Sequence, residues 1–157
     1  AVPRGLFGIL ASWSVFGNPF QTEPIIIGMI ATTFLIGGMA NKDIVDSDAD
    51  KKTGTGTLIN RYGNKKTALI CFPFMFFPFI MVLIFVREGL LEPYLWPLVF
   101  LAIPSGLISY FMIKASESKT LENAHAWTLM YLVYLAYAMG FSLLTIFRGE
   151  LGFLKIF

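Results

Sequence analysis

Apolar residues fill five stretches of the chain, over 5–20, 24–41, 67–86, 94–113 and 124–147, and the polar residues collect between them. A bilayer core of ~30 Å takes about 20 helical residues, so these stretches read as membrane helices. The first is short and is interrupted by Ser12, Ser14, Gly17 and Asn18. It is read as a span that begins upstream of Ala1 or thins toward its end, with Gly8, Ala11, Ser12 and Ser14 marking close helix packing. Asn18-Pro19 through Glu23-Pro24 predicts a turn, with Pro24 at the first position of the second helix. Gly28, Gly37 and Gly38 on that helix would let neighbours approach. Pro73 and Pro78 predict kinks in the third span and Pro104 a bend in the fourth. Tyr94 and Trp96 fit an interfacial aromatic belt. The expected fold class is therefore all-α, a multi-pass transmembrane helix bundle of about five spans forming one membrane domain.

Composition agrees with that pattern. In 157 residues, 56% are apolar, sixteen are Phe, and the mean hydropathy is +0.69. Such a chain does not hide its apolar surface from water by itself. The net charge of +2 and the absence of an unbroken basic tract argue against nucleic acid as a partner. Cys71 is the single cysteine, so no intrachain disulfide forms, and it is read as a small core or lipid-facing residue. No charged leader or A-x-A cleavage site is visible at the start, and a missing upstream part is expected.

The one long charge-dense run is Asn41 to Gly63, NKDIVDSDADKKTGTGTLINRYG. Asp43, Asp46 and Asp50 stand at i, i+3 and i+7, so a helix continuing through them presents all three carboxylates on one face, with Asp48 elsewhere. Like charges at that spacing repel by a few tenths of a kcal/mol per pair in an exposed helix, and a counter-cation relieves them. Hard oxygen ligands suit Mg2+, which takes one or two carboxylates and fills its shell with water and phosphate oxygens. Two other readings compete. Asp46, Asp48 and Asp50 open like an EF-hand loop, but Lys51 and Thr57 stand where that loop needs Gly and Glu. A solvated, charge-mixed loop at the end of a membrane helix is the bland alternative. Thr53 to Tyr62 reads as a flexible connector rich in Gly and Thr whose amides could line a phosphate.

The run resembles the second aspartate-rich signature of the UbiA superfamily of intramembrane prenyltransferases, roughly KDxxDxxxDxxxGxxTLPxxxG. Lys42, Asp43, Asp46, Asp50, Gly54, Thr57, Leu58 and Gly63 match in register, and Ile59 replaces the proline. The resemblance implies a nine-helix bundle with two facing aspartate-rich loops, of which this chain would supply helices five to nine. The first motif, NxxxDxxxD, does not occur here, so an upstream half of the same protein is expected to carry it, and the chain alone is expected to be incomplete. The resemblance further implies Mg2+ held by Asp43, Asp46 and Asp50 as the catalytic acids, and a prenyl diphosphate met by Asn41, Lys42, Lys51 and Arg61. The second substrate would be an aromatic or apolar lipid-precursor acceptor within the bilayer.

Two spans separate the aspartate loop from the polar loop at 114–123, which puts both on one side. That side, with the N-terminus, holds Arg4, Lys42, Lys51, Lys52, Arg61, Lys65, Lys66, Lys114 and Lys119, against Arg87, Arg148 and Lys155 on the other. The positive-inside rule then faces the aspartates to the cytoplasm. His125 reads as an interfacial residue rather than a base, and Tyr131, Tyr134 and Tyr137 as packing. The rival functional class is a non-catalytic transporter or channel fragment with an acidic cation-binding loop; that reading wants acids at midplane, and these fall at a helix end.

Overall fold

The computed structural model describes residues 1–115 and 123–148, and every regular element among them is helical. A π-helical turn, Pro3–Phe7, runs into α1, Gly8–Trp13. The long elements follow as α2, Thr22–Gly38, α3, Ala40–Thr53, and α4, Leu58–Arg87. A 3-10 segment, Pro93–Leu101, leads into α5, Ala102–Lys114, and α6 is Asn123–Ile146. Among the described residues four stretches are long and apolar enough to cross a membrane: Thr22–Thr53, Leu58–Arg87, Pro93–Lys114 and Ala124–Ile146. The chain is a multi-pass helical bundle.

Several sequence expectations change in detail. The first apolar stretch is helical only to Trp13, because Gly17, Asn18 and Pro19 break the ladder early, and it falls short of the about 20 residues a crossing takes. Ser12 and Ser14 do not make close packing there; both are exposed and donate to their own helix, to Gly8 O at 3.0 Å and Ala11 O at 2.6 Å. Pro24 is the third residue of its helix, not the first, since Gln21 already supplies the extended N-cap. A break in α4 that the sequence reading did not anticipate comes at Gly63 (φ 73°, ψ 166°), and Pro73 and Pro78 both lie inside the helix. In the fourth span the change of helix type falls at Leu101–Ala102, before Pro104. Of the polar loop expected at 114–123, residues 116–122 lie outside the described residues.

The glycines on α2 do what small residues do in membranes, which is to let backbones touch. A Cβ on Gly28 would lie 2.8 Å from Leu6 Cδ1, and one on Gly38 would lie 2.7 Å from Met130 Cγ. Gly37 sits at the α2–α4 crossing, where a Cβ would meet Cys71 O at 2.9 Å. Cys71 is buried in this contact.

The centre of the core is aromatic. Phe34, Phe79 and Tyr137 are fully buried, with ring centroids 5.2 Å apart for Phe34–Phe79 and 5.5 Å for Phe79–Tyr137. The expectation that the three tyrosines pack holds, and each hydroxyl also ties α6 to a neighbour. Tyr137 donates to Ile27 O at 2.8 Å, Tyr134 to Arg4 O at 2.6 Å, and Tyr131 accepts from Arg4 Nη1 at 2.8 Å. Tyr137→Phe is expected to cost about 1 kcal/mol, the usual net value of one hydrogen bond. Unfolding in a detergent–SDS titration measures it, and an unchanged midpoint would show that the hydroxyl adds nothing.

Candidate functional site

Met39, between α2 and α3, keeps helical angles (φ −61°, ψ −32°), so the polar α3 continues the direction of the apolar α2 as one helix to Thr53. The acids therefore stand beyond the apolar part of the span, at one end of the bundle. Ala40, Asn41 and Ile44 are the buried residues of α3 and anchor it. Asp43, Asp46 and Asp50 are half-buried on a stripe to one side of that anchor, while Asp48 is exposed and, two residues from either neighbour, points away from them.

The α3–α4 connection is a tight hairpin, not a long flexible loop. Gly54 takes the left-handed conformation (φ 72°) that ends a helix, and its N–H returns to the last turn of α3. Lys51 and Lys52 stand in that last turn, where cations complement the helix dipole. Four residues later Thr57 Oγ1 accepts from Asn60 N at 3.2 Å and caps α4, and Asn60 Nδ2 donates to Thr55 O at 3.3 Å. Helix thus begins at Leu58 within the stretch expected to be connector, because Thr at the cap position satisfies an N–H that would otherwise be orphaned.

The hairpin is antiparallel, and its register follows from contacts. Gly37 lies against Cys71, Phe74 and Met75, Asn41 Nδ2 reaches Met75 Sδ at 4.0 Å, and Asp43 is near enough to Cys71 to act on it electrostatically.

Asp43 is the electrostatically strained member of the set. Burial pushes its carboxyl above the usual carboxylate range, Asp50 adds to the rise, Lys42 opposes it, and Asp46 adds a smaller increment. Lys42 Nζ lies 3.5 Å from Asp46 Oδ2 in an exposed i, i+4 pair, which is worth a few tenths of a kcal/mol. Lys51 and Arg61 are exposed at the hairpin, with the Arg61 guanidinium 5.4 Å from the Tyr62 ring centroid. Asn41 differs from its expected place. It is 0% exposed, its amide donates to Gly38 O at 2.9 Å, and its Oδ1 is buried without a partner among the described residues, so it faces the core two residues, over half a helical turn, away from Asp43. His125 is exposed and packs its ring at 5.8 Å from Phe111.

Among the described residues no three His, Cys, Asp or Glu side chains converge on one point. Aligned carboxylates on one helix do not form a closed cage. They fit a hard cation that takes one or two carboxylates and completes its shell from water and phosphate, which is the habit of Mg2+.

Sequence reasoning did not find an apolar groove between α2 and α4. Ile26, Met29, Ile30 and Thr33 of α2 and Pro73, Phe74, Phe77, Pro78, Met81 and Phe85 of α4 line an apolar groove of about 390 Å³. Met29, Ile36, Asp43 and Asp50 recur every seven residues along the continuous α2–α3 helix, so groove and acids share one stripe. The seven-residue interval was visible in the sequence; the depth of the groove was not, since it depends on what α4 leaves uncovered.

A multi-pass helical membrane protein with an acidic helix end and, farther along the same helix, an apolar groove is the class that fold and site define. The family model for the UbiA prenyltransferase family matches residues 2–133, and the chain belongs to that family of membrane prenyltransferases. No curated protein and no solved structure matches the chain.

Proposed function

We propose that this chain contributes to Mg2+-dependent transfer of a prenyl group from an isoprenoid diphosphate to an aromatic or lipid-precursor acceptor within the membrane. The observation that carries the reading is the shared stripe of Met29, Ile36, Asp43 and Asp50, which joins a polar end suited to a metal-bound diphosphate with a groove suited to a hydrocarbon chain. Asp43, Asp46 and Asp50 are the residues to hold Mg2+, which when bound supplies positive charge to the departing diphosphate. Lys42, Lys51 and Arg61 surround the same end and offset the charge that develops as the allylic C–O bond breaks. The groove walls of Phe74, Phe77 and Met81 keep water from the allylic cation until the acceptor's electron-rich atom attacks and releases a proton. Asn41 acts at one remove, holding α3 against α4 so that the acid stripe keeps its register.

The hairpin faces the cytoplasm in this reading, supported by the concentration of Lys and Arg on its side. A second aspartate-rich segment, upstream in the same protein, completes the metal site opposite α3. The test is a transfer assay on the full-length protein in nanodiscs, with labelled prenyl diphosphate and a panel of acceptors. Chelation by EDTA is expected to abolish transfer, and Mg2+ or Mn2+ to restore it. Transfer that persists without divalent metal would overturn the metal assignment.

A further inference from the structure

The end of the bundle remote from the acids holds a cavity of its own. Trp13 of α1, Gln21 and Glu23 at the start of α2, Glu92 and Tyr94 at the start of the 3-10 segment, and Arg148 just beyond α6 line a space of about 490 Å³. Glu23 lies on the same continuous helix as Asp43, twenty residues before it, which is about 30 Å of helix. Three apolar stretches begin or end here, at Thr22, Pro93 and Ile146, so the cavity stands at headgroup level on the face opposite the acids. None of its groups takes part in prenyl transfer as proposed above.

Its polar groups leave unmet demands of both signs. The Trp13 ring is 4% exposed and stacks on Phe141 with centroids 5.3 Å apart. Its indole N–H, a donor only, is buried with no acceptor among the described residues. That edge of the ring is on the Gln21 side: a Cβ on Gly17 would lie 3.7 Å from Trp13 Nε1 and 3.9 Å from Gln21 Oε1, and glycine leaves the space between them open. Glu23 Oε1 accepts from the Tyr94 hydroxyl at 2.9 Å. Glu92 and Arg148 are exposed at the rim and near enough to Glu23 to act on it electrostatically. Even so, among the described residues none of Glu23, Glu92 and Arg148 is in an ion pair. The buried N–H and the guanidinium want an anionic oxygen. Two carboxylates against one guanidinium leave negative charge in excess and want a cation.

We infer that this cavity binds the headgroup of a zwitterionic lipid, one that carries a primary ammonium and a phosphate a few bonds apart, as phosphoethanolamine does. The ammonium stands between Glu23 and Glu92, and the phosphate takes the Trp13 N–H and Arg148. A primary ammonium is required because carboxylates and Gln21 Oε1 accept hydrogen bonds that a trimethylated nitrogen has no N–H to donate. The source is a lipid because the cavity lies at the membrane surface with apolar side chains next to its lining. Phe16, Phe20, Ile146 and Phe147 are exposed there and offer that surface to acyl chains.

The test is native mass spectrometry of the full-length protein in detergent, titrated with lipids of identical acyl chains and ethanolamine, choline or glycerol headgroups. Wild-type protein is expected to retain the ethanolamine lipid about tenfold better than the other two, the scale of a hydrogen bond to a charged group. Trp13→Phe keeps a ring against Phe141 and removes the N–H, and Glu23→Gln keeps an acceptor for Tyr94 and removes the charge. Each is expected to reduce the preference to about threefold or less. Asp48→Asn, which removes the same charge at the other end of the bundle, is expected to leave it unchanged. Equal retention of the three lipids by wild-type protein, or an undiminished preference in either variant with native circular dichroism, would overturn the site. Soluble phosphoethanolamine separates the two sources of the headgroup. Weak or no displacement of the bound lipid by it supports a membrane ligand, and displacement at the lipid's own concentration would overturn the lipid assignment. Prenyl transfer is not the readout, so failure of the transferase reading leaves this result standing.

Discussion

Asp50→Asn is expected to lower prenyl transfer by at least about a hundredfold with the fold intact, the scale on which a charge-stabilising group contributes to a transition state. The change keeps shape and removes charge. Asp50 is half-buried near the end of α3, and among the described residues no hydrogen bond or ion pair through its carboxylate ties α3 to another helix. Asp46→Asn is expected to behave alike, because its exposed pair with Lys42 adds little to folding. Asp48→Asn is the control. Asp48 lies off the stripe, and its loss is expected to change the rate by less than about twofold, as for a surface substitution away from the site. Rates from the nanodisc assay decide the matter: equal losses at Asp48 and Asp50 would mean that overall charge, not the stripe, is what counts.

Gly37→Ala is expected to destabilise the bundle by about 1–3 kcal/mol, the cost of forcing a methyl group into a filled contact. Its Cβ would lie 2.8 Å from Met75 Cγ and Phe74 Cβ and 2.9 Å from the carbonyl oxygen of Cys71. Two of those neighbours belong to bulky side chains and one is backbone, so α2 and α4 must separate. Separation also shifts α3 along α4, and transfer should fall with stability. Gly56→Ala provides the contrast, since a methyl group there meets nothing within 4 Å and Gly56 has no positive φ. An SDS titration of both variants reads the difference. Equal stability would show that the crossing relaxes without cost.

The acid stripe was legible because it depends on the helical repeat alone. Asp43, Asp46 and Asp50 share a face in any helix, and the structure continues the helix through them. Asn41 was misplaced for the complementary reason. Nothing local shows that α4 covers one side of α3, and once it does, Asn41 and Ile44 become the buried pair while the acids stay at the edge. The connector at 53–62 was read from its Gly and Thr content, yet Thr55, Thr57 and Asn60 satisfy one another's backbone and start a helix there. Small residues over 5–20 suggested packing throughout that stretch; only Gly5, packed on Thr32, and Gly8, near Tyr134, meet neighbouring elements, because the helix stops at Trp13.

The sequence by itself determined the class of solvent, the apolar segments and the periodic placement of the acids, since hydropathy and a 3.6-residue repeat are local properties of the chain. The tertiary structure alone decided which glycines become helix contacts, that the break in α4 falls at Gly63, and that an apolar groove opens on the stripe of the acids. Each of these depends on two helices meeting at one register. That register is set by packing between residues more than thirty positions apart, such as Gly37 and Cys71, which no local pattern encodes.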